Sequence, residues 1–119
     1  MKKKIAILLP YKEKYTTNDA AAASIWVKDY LNLSKLKNET LVFGDLARNK
    51  KPITNNFVNL DISRISFRKN YSYTKKFYNQ FNKYNFEIVE IHNRPESLVY
   101  LIKRRKDLRC KFIFVCLFF

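Results

Sequence analysis

FEIVEIHNRPESLVYL, residues 86–101, decides how this chain is read. Ile88, Val89 and Ile91 make a short buried strand, and Pro95 stands where the first turn of a helix tolerates a missing N–H. Leu98, Val99, Leu101 and Ile102 then return at helical spacing. Between strand and helix lies His-Asn-Arg-Pro-Glu, residues 92–96. In an open α/β sheet, ligands bind at the loops leaving the carboxyl ends of the strands. The one histidine of the chain, His92, therefore falls at a working position.

Downstream, Lys103, Arg104, Arg105 and Lys106 close the helix begun at Pro95, where cations complement the negative end of the dipole. Arg109 to Phe119, RCKFIFVCLFF, reads as the next strand. No polar loop follows it, so the expectation is a truncated, frameshifted or split product. Upstream, the apolar run from Lys4 to Leu9 fits a central strand covered on both faces. Pro10 to Thr17 forms a charged loop, Thr17 or Asn18 caps the next helix, and Asp19 sits in its first turn. That helix runs to about Ser34, with Ala23, Trp26, Val27, Tyr30 and Leu33 as its buried stripe. Its N-terminus offers free N–H groups to a phosphate.

Glu39 to Gly44 is a second strand ending at the single glycine, Asp45 to Asn56 an exposed loop, and Phe57 to Ile62 a short strand. Ser63 to Asn70 is basic and irregular. A helix over Tyr71–Tyr84 places Thr74, Phe77, Tyr78, Phe81 and Tyr84 on one face. Strands thus alternate with helices. The fold class is α/β, with a mostly parallel sheet and flanking helices.

The 119 residues allow one domain, with 47% apolar residues for its core. A formal charge of +14 raises nucleic acid or an anionic membrane as partner. Lys, Asn, Ile, Tyr and Phe are abundant throughout, however, a bias that a lysine-favouring genome produces without selection for binding. A solvated basic surface is the simpler reading. The basic aromatic stretch Arg64 to Tyr84 has the cations and rings that single-stranded nucleic acid or a membrane interface requires. The helical period argues against both, because Phe77 and Phe81 cannot pack on a sheet and also stack on bases.

Cys110 and Cys116 lie on one face of the last strand, about 20 Å apart at the usual rise and too far for a disulfide. They read as buried thiols in a reducing cytoplasm. MKKKIAILLP is no signal peptide, because Pro10 and the charges at Lys12, Glu13 and Lys14 break its short apolar run. Phe112 to Phe119 is far too short to span a bilayer. With one histidine and no cluster of cysteines or carboxylates at ligand spacing, no metal site is expected.

Residues 86–101, together with the opening KIAILLPYKEKYTTNDAAAASIWVKDYL at 4–31, resemble the N-terminal domain of the family 4 glycosyltransferases. The resemblance implies a Rossmann-like fold, one half of the GT-B architecture in which two such domains face a cleft. The N-terminal half holds the acceptor, and the missing C-terminal half holds the nucleotide-sugar pocket and its paired glutamates. It implies retaining transfer of a sugar from a nucleotide-sugar donor to a lipid-linked or polysaccharide acceptor, as in cell-envelope polysaccharide biosynthesis. No obligatory metal or cofactor takes part. His92 matches the histidine near the reacting sugar, with Asn93, Arg94 and Glu96 beside it as substrate contacts. Relatives approach the donor diphosphate through a glycine-containing loop after the first strand. Residues 15–20 here have no glycine, and Thr17 and Asn18 stand in as hydrogen-bond donors. The resemblance also implies work at the cytoplasmic face of a membrane, and an isolated chain without turnover. The alternative is a small basic α/β binding protein for an anionic membrane surface or nucleic acid.

Overall fold

The computed structural model describes residues 2–18, 20–47, 49–62, 69–80, 83–104 and 110–116. Its strands are β1 (Ile5–Leu8), β2 (Thr40–Gly44), β3 (Phe57–Asn59), β4 (Ile88–His92) and β5 (Lys111–Val115). The helices are α1 (Ala22–Leu33), α2 (Lys69–Gln80) and α3 (Pro95–Ile102). All pairings among these strands are parallel, in the order β3-β2-β1-β4-β5. The fold is α/β and Rossmann-like, and β1 is central as its unbroken apolar run requires. Asp19, residues 63–68, Phe81, Arg105, Lys106, Arg109 and Leu117 to Phe119 lie outside the described residues, and with them part of the basic aromatic stretch and both ends of the last expected strand.

Strand order creates a reversal. From β1 the chain steps outward through α1 to β2 and β3, then crosses back through α2 to β4 on the other side of β1. Side-chain alternation divides the core accordingly. Ile5, Ile7, Leu9 and Val42 pack with Ala23, Val27 and Leu31 of α1. Ala6, Leu8, Phe43, Val89 and Ile91 pack with Tyr73 and Phe77 of α2 and with Tyr100 and Leu101 of α3. The loops at the carboxyl ends of β1 and β4 flank the point where the direction of winding reverses.

Several boundaries differ from the sequence expectation, each for a local reason. Helix α1 begins at Ala22, and its N-cap, Ala21, makes no side-chain cap bond, so neither Thr17 nor Asn18 caps it. Its buried positions are Ala23, Ser24, Val27 and Leu31, whereas Leu33 is 88% exposed. The buried stripe follows steps of four residues along one edge, and Leu33 falls outside it. Strand β3 stops at Asn59 because the chain there turns onto side-chain partners. Asn59 Oδ1 accepts from Leu46 N–H (3.2 Å), Asn59 Nδ2 donates to the Leu46 carbonyl (2.8 Å), and Asp61 adopts a left-handed φ of 51°. Helix α2 ends before Tyr84, which stacks on Phe86 at 5.1 Å instead of extending the helical face. Cys116 is exposed and Cys110 half-buried, so the expectation of two buried thiols fails for Cys116, which follows the end of β5; neither thiol is bridged.

The single glycine answers a packing demand. A Cβ on Gly44 would lie 2.8 Å from the Phe57 ring, which is itself stacked on Tyr15 at 5.6 Å. Backbone approach between β2 and the start of β3 thus depends on the missing side chain.

Tyr73 joins α2 to the sheet. Fully buried, its hydroxyl donates to the Leu9 carbonyl at 2.6 Å, with the Phe43 carbonyl at 3.3 Å. Burial, reinforced by the carboxylates of Asp45 and Glu13, holds its pKa well above the ordinary tyrosine value. In the unfolded chain the phenol ionises at about pH 10. The folded state therefore binds this proton more tightly, and the stability it confers is lost as pH rises above that value. Tyr73→Phe should cost about 1–2 kcal/mol at neutral pH in urea unfolding. It should also flatten the alkaline loss of Tm relative to the unsubstituted protein.

Candidate functional site

Strand β4 supplies the central residues through its alternation. Val89 and Ile91 enter the α2–α3 core, so Glu90 and His92 point to the opposite face, beneath α1. The His92 side chain has no exposed surface. Its ring lies 5.2 Å from that of Trp26 on α1, tilted by 58°, and Trp26 in turn stacks on Tyr30 at 5.3 Å. Nε2 of His92 is 3.5 Å from Oε2 of Glu90, too long for a hydrogen bond. Neither ring nitrogen, nor Glu90 Oε2, has a hydrogen-bond partner among the described residues. An imidazole and a carboxylate are thus buried together and left unsatisfied under an aromatic cover, an arrangement that costs stability.

The turn after His92 is built by the backbone. Asn93 takes φ of 60°, a left-handed conformation that asparagine tolerates, and its N–H donates to the Val115 carbonyl of β5 at 2.9 Å. Arg94 is the exposed N-cap residue of α3, and its carbonyl accepts from Ser97 N–H at 3.1 Å. Pro95 opens the helix, as its fixed φ and absent N–H favour. Glu96 is exposed and accepts from Asn70 Nδ2 at 3.2 Å, while Thr74 and Ser97 hydroxyls meet at 2.8 Å. Glu96 therefore also ties α3 to α2. At the far end of α3, the Arg104 guanidinium lies over the Tyr100 ring at 3.6 Å and donates to the Tyr100 carbonyl at 3.1 Å.

Of the expected substrate contacts, Asn93, Arg94 and Glu96 surround the turn after β4. Thr17 and Asn18 lie exposed in the β1–α1 loop, and no hydrogen bond among the described residues links them to the 92–96 turn. The helix end expected to receive a phosphate already has an anion. Glu13 Oε1 accepts from Ser24 N–H at 3.1 Å, and Ser24 Oγ donates to the Lys14 carbonyl at 3.2 Å. A carboxylate three residues after Pro10 thus satisfies the dipole that a ligand would otherwise meet. Replacing it by Glu13→Gln should lower stability by about 0.5–1 kcal/mol, more at low salt than at high salt, in urea unfolding.

The sequence reading missed Glu90. A glutamate inside an apolar strand, two residues before a histidine, was the available signal, because strand alternation places such a pair on one face. It also missed the two pockets at the carboxyl edge. One, of about 730 Å³, is lined by Tyr11, Asp45, Asn49, Asp61 and Lys69. The second, of about 450 Å³, shares Asp45 but is walled by lysines. Among the described residues no group of histidines, cysteines and carboxylates is placed to hold a metal, and no helix is long and apolar enough to cross a membrane.

Removing one member of the buried pair strands the other. His92→Leu or Glu90→Leu alone should cost on the order of 2 kcal/mol, whereas the double Leu substitution should return the urea midpoint to that of the starting protein or above. Recovery in the double variant would mean that the pair is not kept for stability. Comparison with protein-family models, with characterised proteins and with solved structures gives no match.

Proposed function

We propose that these 119 residues form the acceptor-side, Rossmann-like half of a retaining glycosyltransferase that uses a nucleotide-sugar donor. The observation that carries this reading is the unsatisfied, buried His92 at the carboxyl end of β4, beside the point where the winding of the sheet reverses. A sugar hydroxyl supplies both a donor and an acceptor, which is what an imidazole and a neighbouring carboxylate lack here. Rotation of Trp26 off the His92 ring opens the path, and the indole and Tyr30 then offer apolar faces to a pyranose. In this role His92 orients the reacting sugar or the acceptor, with the Glu90 carboxylate beside it as a second acceptor for a sugar hydroxyl. Arg94 and Glu96, exposed at the start of α3, contact the acceptor from the rim.

Transfer also requires stabilisation of the departing diphosphate, a task that falls to a second domain facing this one. The chain of 119 residues is therefore expected to give no acceptor-dependent release of nucleoside diphosphate from a panel of nucleotide sugars. Turnover by these residues alone would overturn the half-enzyme reading. A lipid-linked acceptor fits the basic surface, whose lysines favour an anionic leaflet.

Binding is tested separately. Trp26 is the single tryptophan, so its fluorescence reports directly on the cover of the site. Titration with oligosaccharide and lipid-linked oligosaccharide acceptors should shift Trp26 emission saturably, and His92→Ala should remove the shift. An emission that stays constant across the panel would exclude an acceptor role for this site.

A further inference from the structure

The lysine-walled pocket at the carboxyl edge is not part of the His92 site, and its chemistry points elsewhere. Lys12, Lys14, Lys50, Thr16, Asp45 and Leu46 line a space of about 450 Å³. Thr16 is only 7% exposed, yet its hydroxyl has no hydrogen-bond partner among the described residues. A buried hydroxyl without a partner is costly unless something occupies the pocket it lines.

The segment that carries these groups is fixed before any ligand arrives. Residues 13 and 15 turn inward: Glu13 caps α1, while Tyr15 stacks on Phe57 and its hydroxyl pairs with Thr54 at 3.0 Å. Ile53 N–H donates to the Tyr15 carbonyl at 3.0 Å. The residues between and beside them, Lys12, Lys14 and Thr16, line the pocket. On the opposite wall, Asp45 is held through Oδ1 by Ile62 N–H at 3.2 Å. A carboxylate in this wall can accept from a ligand hydroxyl.

Charge selects the ligand. Three lysines and one aspartate line the pocket, a formal excess of two positive charges, and the Lys12 ammonium lies 5.9 Å from the centroid of the Tyr11 ring. A phosphomonoester carries close to two negative charges at neutral pH and has acceptor oxygens for both ammonium and hydroxyl donors. We propose that this pocket binds a phosphomonoester of a sugar or polyol, with its phosphate on Lys12, Lys14 and Lys50, an oxygen accepting from Thr16, and a hydroxyl donating to Asp45. This site is independent of whether the chain takes part in sugar transfer.

The test is a titration of the isotope-labelled full chain, followed by amide NMR, with inorganic phosphate, with glucose 6-phosphate and with glucose. Both phosphates should saturate and shift the amides of Lys14, Thr16 and Lys50, glucose 6-phosphate more tightly, whereas glucose should do neither. Thr16→Val should weaken binding by about tenfold, and Thr16→Ser should restore it, since a hydrogen bond to a charged group is lost and regained. Lys50→Gln, on an exposed side chain, gives the same reading should Thr16→Val fail to fold. Capture by phosphatidic acid vesicles but not by soluble phosphates, weakened by these same substitutions, would assign the phosphate to a lipid headgroup. Responses that never saturate with any of these probes would overturn the proposal, as would a well-folded Thr16→Val or Lys50→Gln variant with unchanged affinity.

Discussion

The hydroxyl of Tyr73 fastens the return crossover to the sheet. Its bonds to the carbonyls of Leu9 and Phe43 lie at the carboxyl ends of β1 and β2, so α2 is anchored at the same edge from which the functional loops leave. Helix α3 is then docked on α2 through Asn70, Thr74, Glu96 and Ser97, and α3 fixes the turn at residues 92–94. A single buried phenol thereby stands at the head of a chain of contacts that reaches the histidine. The Phe43 carbonyl also accepts from Leu9 N–H at 3.0 Å, so the phenol adds a second donor there and ties α2 directly to the β1–β2 pairing.

Electrostatics along the same edge is divided between the chain and what it binds. Glu13 spends its charge on the N-terminus of α1, so that helix end no longer attracts an anion. Lys12 and Lys14, on either side of it in sequence, line the neighbouring pocket. The loop after β1 thus trades a site made of peptide N–H groups for one made of side-chain cations. The same loop has no glycine, and a backbone carrying side chains at every position cannot approach a ligand as closely. Long lysine side chains can reach where the backbone does not.

Much of the fold was legible because burial on both sides leaves a plain trace. Lys4–Leu9, Glu39–Gly44 and the apolar set Ile88, Val89 and Ile91 read as strands since a parallel strand covered by helices is largely apolar, and Pro95 marked the start of α3. The start of α1 was not legible. Thr17 and Asn18 have good capping chemistry, but the cap comes from Glu13, eleven residues before the N–H it satisfies, and sequence rules look only at adjacent positions. Tyr73 was hidden for a related reason: a tyrosine on a helix gives no sign that its hydroxyl will meet carbonyls of two distant strands. At the candidate site, His92 and its turn were visible in the sequence, whereas its burial under Trp26 was not. Trp26 and His92 are separated by most of the chain, and only the packing of α1 over β4 brings the rings together.

The strand order carries a consequence for how the protein comes to be folded. β1 pairs with β4 in the register Ile5 to Ile88 and Leu8 to Ile91, so the central strand receives its second neighbour only after some eighty further residues have been made. No hairpin exists among the described strands to nucleate the sheet locally, since every pairing is parallel. Loop closure over such a span precedes any reward from contact, which makes assembly slow. On the ribosome, β1, α1 and β2 must wait with one apolar edge unpaired until β4 emerges, and during that interval the unpaired edge is open to association with neighbouring chains.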